Sequence, residues 1–168
     1  MTQPIHGGNI YKAARERRIP VDQIVDFSAN INPLGPPAIG LRSIRLALKQ
    51  IRHYPDPDCW QLREVLAQQC GVDPDMILVG NGSTELIHLL PRALAIKSAL
   101  ILGPTFEEYA RALLDAGSSV RYVHAAREER FRPPWQEMLR QFSAKRSRFE
   151  AVFVCNPNNP TGQVMNRS

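Results

Sequence analysis

The sequence predicts an α/β protein with a mainly parallel sheet. From residue 75 onward, short apolar runs alternate with amphipathic helical stretches, and glycine, proline or asparagine follows most of the runs. The bulk composition agrees: 168 residues with 43% hydrophobic and 22% charged side chains suit one globular unit and exclude overall disorder.

The elements follow in order. The first 60 or so residues are punctuated by Pro20, Pro33, Pro36, Pro37, Pro55 and Pro57. Short helices are expected at 9–18 and 37–52, although the apolar residues of the second only partly follow one stripe. Between them, 26–35 reads as an extended segment entering turns, because Asn-Pro and Gly-Pro-Pro steps disfavour helix. A helix over 58–70 opens at Asp58 as its N-cap and closes at Gly71. A strand at 76–79 then leads through Gly80-Asn81-Gly82 into a helix at 83–95, in which Pro91 predicts a kink or a short first segment. Strand 98–102 turns at Gly103-Pro104 into a helix at 105–116 ended by Gly117. Strand 119–124 precedes a basic stretch and a helix at 134–146, and strand 150–155 runs into Asn156-Pro157-Asn158-Asn159-Pro160-Thr161-Gly162.

Several function classes lose support. The net charge of +5 is concentrated in 125–148, where Arg127, Arg130, Arg132, Arg140, Lys145, Arg146 and Arg148 outnumber Glu128, Glu129 and Glu137. Without a nucleic-acid motif, this stretch reads as a solvated face, and no nucleic-acid partner is expected. Cys59, Cys70 and Cys155 form no C-x-x-C pair and imply a reducing compartment. The histidines lack zinc-ligand spacing, so no metal is expected. The longest apolar runs, such as Met76-Ile77-Leu78-Val79, are too short to cross a bilayer, and the first residues lack a signal-peptide pattern. A soluble, cytoplasmic protein without a membrane partner is expected.

Two segments carry chemistry. Gly80-Asn81-Gly82-Ser83-Thr84-Glu85 sits where a strand turns into a helix. Ser83 or Thr84 can cap that helix, and Glu85 resembles the acidic half of a capping box. Free first-turn amides, the helix dipole and two hydroxyls suit an anion, although a plain helix cap explains the same residues equally well. The string lacks the Gly-Lys-[Ser/Thr] of a P-loop. The second segment, residues 156–162, places three asparagines at the carboxyl end of a strand, the edge where open α/β sheets bind ligands. Its two X-Pro steps are expected to hold the backbone extended.

These motifs, with Pro104-Thr105-Phe106-Glu107-Glu108-Tyr109 between them, resemble the fold-type-I pyridoxal-phosphate aminotransferase superfamily. With Tyr54-Pro55-Asp56 they resemble its histidinol-phosphate aminotransferase-like branch. Two further strings, His6-Gly7-Gly8-Asn9-Ile10 and Asp26-Phe27-Ser28-Ala29-Asn30-Ile31-Asn32-Pro33-Leu34-Gly35, are similar to the threonine-phosphate decarboxylases of cobalamin biosynthesis. The resemblance implies a three-layer α/β/α fold, with 1–53 an N-terminal arm belonging to the small domain and 54–168 an incomplete cofactor-binding large domain. It implies pyridoxal 5'-phosphate as cofactor, a small phosphorylated amino-acid substrate and a homodimer.

Roles follow by the same resemblance. Gly82, Ser83 and Thr84 would hold the cofactor phosphate, Phe106 would stack on the pyridine ring, and Asn159 would hydrogen-bond its phenolic oxygen. Tyr54 would reach the phosphate of a neighbouring subunit's cofactor. His6, Gly7 and Asn30 would contact O-phosphothreonine. The reaction implied is O-phospho-L-threonine to aminopropanol phosphate and carbon dioxide, with histidinol-phosphate-type amino transfer or a non-catalytic binding and dimerising fragment as alternatives. The family's Schiff-base lysine follows the Asn-Pro-Thr-Gly motif, and Lys12, Lys49, Lys97 and Lys145 match no such context. No catalytic residue is therefore assigned, and the chain alone is expected to be inactive.

Overall fold

Strand β1 (Ser98–Gly103) is the centre of the sheet. Its run Ala99-Leu100-Ile101-Leu102 is apolar on both pleat faces, the pattern of a strand covered on both sides. In the computed structural model, which describes residues 7–143 and 149–165, β2 (Ser119–His124) and β3 (Ala151–Phe153) flank β1 in the order β2-β1-β3. Both pairings are parallel, with Ser98 opposite Ser119, Gly103 opposite His124, and Ala99 opposite Ala151.

The pleat divides the core in two. Ala99 and Ile101 join Ile96 and Leu113 on one face, with Tyr109 and Phe153 packed against them. Leu100 and Leu102 join Val123 and Met138 on the other. Leu113 belongs to α5 (Glu108–Asp115), against which α4 (Ser83–Ala93) packs, and Met138 belongs to α6 (Trp135–Ser143). The result is the expected three-layer α/β/α arrangement.

The chain divides into two compact units, Met1–Pro57 and Asp58–Ser168. The second holds the sheet, together with α3 (Trp60–Cys70). The first holds α1 (Ile10–Arg17) and α2 (Ala38–Ala47), and among its described hydrophobic residues only Ala14 is buried. Asn9 caps α1 by accepting the Lys12 N–H at 3.0 Å. No helix among the described residues is long and apolar enough to cross a membrane.

Several boundaries differ from the sequence expectation. Residues 76–79 form no strand: a 3-10 turn (Pro74–Met76) gives way to an extended Ile77 that pairs with no strand among the described residues. Extended backbone without a ladder partner is not a sheet member. The N-cap position of α3 falls at Cys59, one residue beyond the expected Asp58, with φ 47° and no capping hydrogen bond from the Cys59 side chain. The expected helix 37–52 is α2 followed by a 3-10 turn (Leu48–Arg52). Helix α4 runs through Pro91 and ends two residues later. So near the helix end the missing N–H removes a single bond, and the ring is among the fully buried side chains. Helix α5 starts at Glu108 because Pro104-Thr105-Phe106 form a turn, closed by the Tyr109 N–H to the Phe106 carbonyl at 3.3 Å.

Candidate functional site

Three segments reach the carboxyl edge of the sheet. The turn at 104–107 leaves the end of β1, the asparagine string leaves the end of β3, and the N-terminal half of α4 points the same way. The last follows from connectivity and contact. Residues 94–97 join the end of α4 to the start of β1, and His88, midway along α4, meets Glu108, which opens α5 just past the end of β1.

At the start of α4, Gly82 takes the N-cap position with φ 87°, a left-handed conformation that L side chains rarely adopt. No side chain caps the helix, so Ser83 and Thr84 are not the caps expected; they occupy the first turn, exposed. Their amides, like all first-turn N–H groups, have no intrahelical acceptor. Glu85 bends back and accepts the Asn81 N–H, the acidic half of a capping box displaced by one residue. Gly82, Ser83 and Thr84 thus present donors, hydroxyls and the positive end of a helix together, the setting a phosphate requires.

The asparagine string is a closed turn rather than an extended segment. The Asn158 N–H donates to the Gln163 carbonyl at 2.8 Å, and the Gly162 N–H donates to the Asn158 carbonyl at 2.7 Å. The Asn158 side chain donates to the Pro104 carbonyl at 2.9 Å and to Thr161 Oγ1 at 2.8 Å. The Asn159 N–H reaches Cys155 Sγ at 3.5 Å, and the Cys155 thiol donates to the Pro157 carbonyl at 3.3 Å. The half-buried Asn159 side chain makes no hydrogen bond among the described residues, so its amide is available to a ligand. The same edge holds a narrow cleft lined by Gly103, Pro104, Ala125, Phe131, Cys155 and Asn158 among others.

Aromatic packing supports the turn after β1. Phe106 stands edge-on to Tyr109 at 5.9 Å, and Tyr109 lies 5.5 Å from Phe153 of β3. Burial, followed by a hydrogen bond to and charge on Cys155, pushes the Tyr109 phenol up to about 12. Thr105 Oγ1 is buried with no hydrogen-bond partner among the described residues. Behind the turn, Glu108 is 5% exposed and accepts from Arg111 at 3.1 Å as well as pairing with His88 at 2.9 Å, which ties α4 to α5.

In the N-terminal unit, Gly7 and Gly8 lie against the 26–30 segment. The Gly8 N–H donates to Ser28 Oγ at 2.8 Å, and Asp26 Oδ1 accepts both the Ser28 hydroxyl at 2.6 Å and the Ser28 N–H at 2.8 Å. A Cβ on Gly7 would sit 1.7 Å from the Ser28 carbonyl oxygen, so only glycine allows this approach. Asn30 is exposed two residues beyond Ser28, and Tyr54 is 100% exposed. His6 lies outside the described residues.

Residues 22–168 match the aminotransferase class I and II family. The chain belongs to that family. Over 162 residues it is 40% identical to a threonine-phosphate decarboxylase of Salmonella typhimurium, covering 96% of this chain and 43% of that protein. A histidinol-phosphate aminotransferase of Moorella thermoacetica is 31% identical over 155 residues, covering 91% of this chain and 39% of that one. Among solved structures, the L-threonine-O-3-phosphate decarboxylase of Porphyromonas gingivalis superimposes with a TM-score of 0.70 at 30% identity, over 86% of this chain and 41% of that one. The chain thus spans about two fifths of the length of these relatives.

Within this class I and II aminotransferase chain, the structure brings Phe106 and the Asn159 loop to one sheet edge with the first turn of α4. It brings Gly7 to Ser28, two residues before Asn30. Sequence reasoning missed Asn158, Thr105 and Cys155. The signal for Asn158 was present in the doubled asparagine: two adjacent half-buried amides at the end of a strand need separate partners.

Proposed function

We propose that this chain supplies the cofactor-phosphate cradle and the substrate arm of a pyridoxal-phosphate-dependent threonine-phosphate decarboxylase, which converts O-phospho-L-threonine to aminopropanol phosphate and carbon dioxide. The observation that carries this reading is the junction of Gly7-Gly8 with Ser28. It joins the two strings that resemble the decarboxylases, though they lie 20 positions apart. The 40% identity to the Salmonella decarboxylase, against 31% to the Moorella aminotransferase, points the same way.

The residues present fit the cofactor. Gly82, Ser83 and Thr84 would hold its phosphate through first-turn amides and two hydroxyls at the dipole's positive end. Phe106, braced edge-on by Tyr109, would lie on the ring. The unpartnered Asn159 amide would donate to the phenolic oxygen and favour its anionic form. When bound, pyridoxal phosphate supplies an electron sink for the pair released as the Cα–carboxylate bond breaks. His6, Gly7 and Asn30 would hold the substrate phosphate, and the arm geometry set by Ser28 fixes where Gly7 presents its backbone. The fully exposed Tyr54 would serve a neighbouring subunit's cofactor phosphate, which makes the working unit a homodimer. Three cysteines without a disulfide suit the cytoplasm.

The protein encoded by the whole reading frame that contains this chain tests the reading. Carbon dioxide release from O-phosphothreonine is expected. Amino transfer from histidinol phosphate without carbon dioxide release would instead favour the aminotransferase, the alternative that the 31% relative keeps in view.

A further inference from the structure

We propose that Asn158 is a positioning residue that locks the two ring-binding loops to each other, setting where Asn159 stands relative to Phe106. The inference rests on the cofactor reading above. Asn158 uses both hydrogens of its amide nitrogen in two directions. One goes to the Pro104 carbonyl, on the loop that carries Phe106, and the other goes to Thr161 Oγ1, within its own loop. A peptide carbonyl only accepts, so the contact with Pro104 fixes which end of the amide is the nitrogen. The main chain of Asn158 closes the same turn on both sides, through Gln163 and Gly162. Thr161 Oγ1 also accepts the Gln163 N–H at 3.3 Å, so one hydroxyl serves the clamp and the turn.

Asn158 itself leaves no amide hydrogen for a ligand. Asn159, its neighbour, has a side chain without a partner among the described residues and a backbone N–H anchored to Cys155. The two adjacent asparagines thus divide the work: one holds the loop and the other meets the cofactor. The phosphate cradle at the start of α4 shares no hydrogen bond with this clamp. Removing the clamp is therefore expected to harm ring binding and leave phosphate binding intact, a split that general unfolding would not produce.

The experiment is equilibrium dialysis of the 168-residue chain and its variants against pyridoxal phosphate and, separately, inorganic phosphate, with absorbance titration of the bound cofactor's phenol. Asn158→Ala is expected to weaken pyridoxal phosphate about 10-fold, the loss of one part-buried hydrogen-bonded anchor, and to leave inorganic phosphate within about 2-fold of wild type. The bound phenol is expected to titrate higher, because a misplaced Asn159 no longer favours the anion. Thr161→Val tests the same clamp without touching Asn158 and is expected to reproduce the effect in weaker form, whereas Thr161→Ser keeps the acceptor and is expected to behave as wild type. Unchanged affinity and phenol titration in Asn158→Ala would overturn the clamp while leaving the cofactor reading in place. Parallel loss of both ligands would overturn it in favour of a purely structural role. A wild-type chain that binds inorganic phosphate and no pyridoxal phosphate would remove the cofactor reading, and the clamp with it.

Discussion

The unit built around β1 and the N-terminal unit solve the problem of holding a shape in opposite ways. In the first, Ala99, Leu100 and Ile101 expose nothing to solvent, and the site-bearing loops leave the ends of β1 and β3 or open the packed helix α4. In the second, the hydrophobic residues are mostly in solvent, with Phe27 at 94% and Leu34 at 90% exposed. What shape it has at the proposed substrate arm comes from Asp26, Ser28 and the Gly7-Gly8 backbone. The contrast assigns hydrophobic burial to the proposed cofactor half and short polar contacts to the proposed substrate half, so different perturbations should disable each.

The largest effect follows from truncating the core. Leu100→Ala removes a side chain that packs against Leu102, Val123 and Met138, and is expected to cost about 2–5 kcal/mol in urea unfolding. The same kind of truncation at Ile44 of α2, 62% exposed, is expected to cost less than about 0.5 kcal/mol. Equal costs at the two sites would erase the distinction between the units.

An intermediate effect concerns Tyr109, where the core meets the candidate site. Its phenol is pushed up to about 12, mainly by burial, from an ordinary value of 10.0. The folded state therefore holds this proton more tightly than the unfolded chain does. The corresponding stability is fully present below pH 10 and is lost as pH rises through the folded value near 12. Tyr109→Phe is expected to flatten the fall in stability across that window, read from thermal melts at stepped alkaline pH. An unchanged slope would mean that Tyr109 is not held in the Phe106–Phe153 stack as its ring contacts imply.

The same division explains what the sequence made legible. Strand 98–102 was readable because its apolar run, buried on both faces and ended by glycine, leaves few alternatives; 119–124 and the last strand, only partly buried, were readable from their alternation with the helices around them. The segment 76–79 has the same composition, yet strand membership depends on a neighbour that local composition does not encode. The start of α3 shifted for a similar reason: Cys59 turns left-handed and takes the N-cap position, one residue beyond Asp58. At the site, residue types identified Gly82, Phe106 and Asn159 through their motifs, while the role of Asn158 is invisible until the loop is folded. Its partner Pro104 lies 54 positions away, and only the adjacency of β1 and β3 brings the two loops together.

The smallest expected effect probes the polar half of the comparison. The Asp26 carboxyl is held below the usual 3.8, first by the Ser28 hydroxyl and then by the Ser28 N–H. Its folded value being depressed, whatever it contributes to the arm is present above the ordinary carboxylate range and fades as pH falls through and below it. Carboxyl NMR titration is expected to place Asp26 below a free aspartate in the wild-type chain. In Ser28→Ala it should return toward 3.8, because the larger of the two hydrogen bonds is gone. The Gly8 amide, which donates to that same hydroxyl, should lose protection from exchange in the variant, while β1 amides keep theirs. If β1 protection fell together with Gly8, the arm would share the cooperativity of the sheet, and the two halves would have to be treated as one folding unit. Loss confined to Gly8 and its neighbours would place the proposed substrate arm at the low-stability end of the chain, where a segment that must admit and release a ligand is expected to lie.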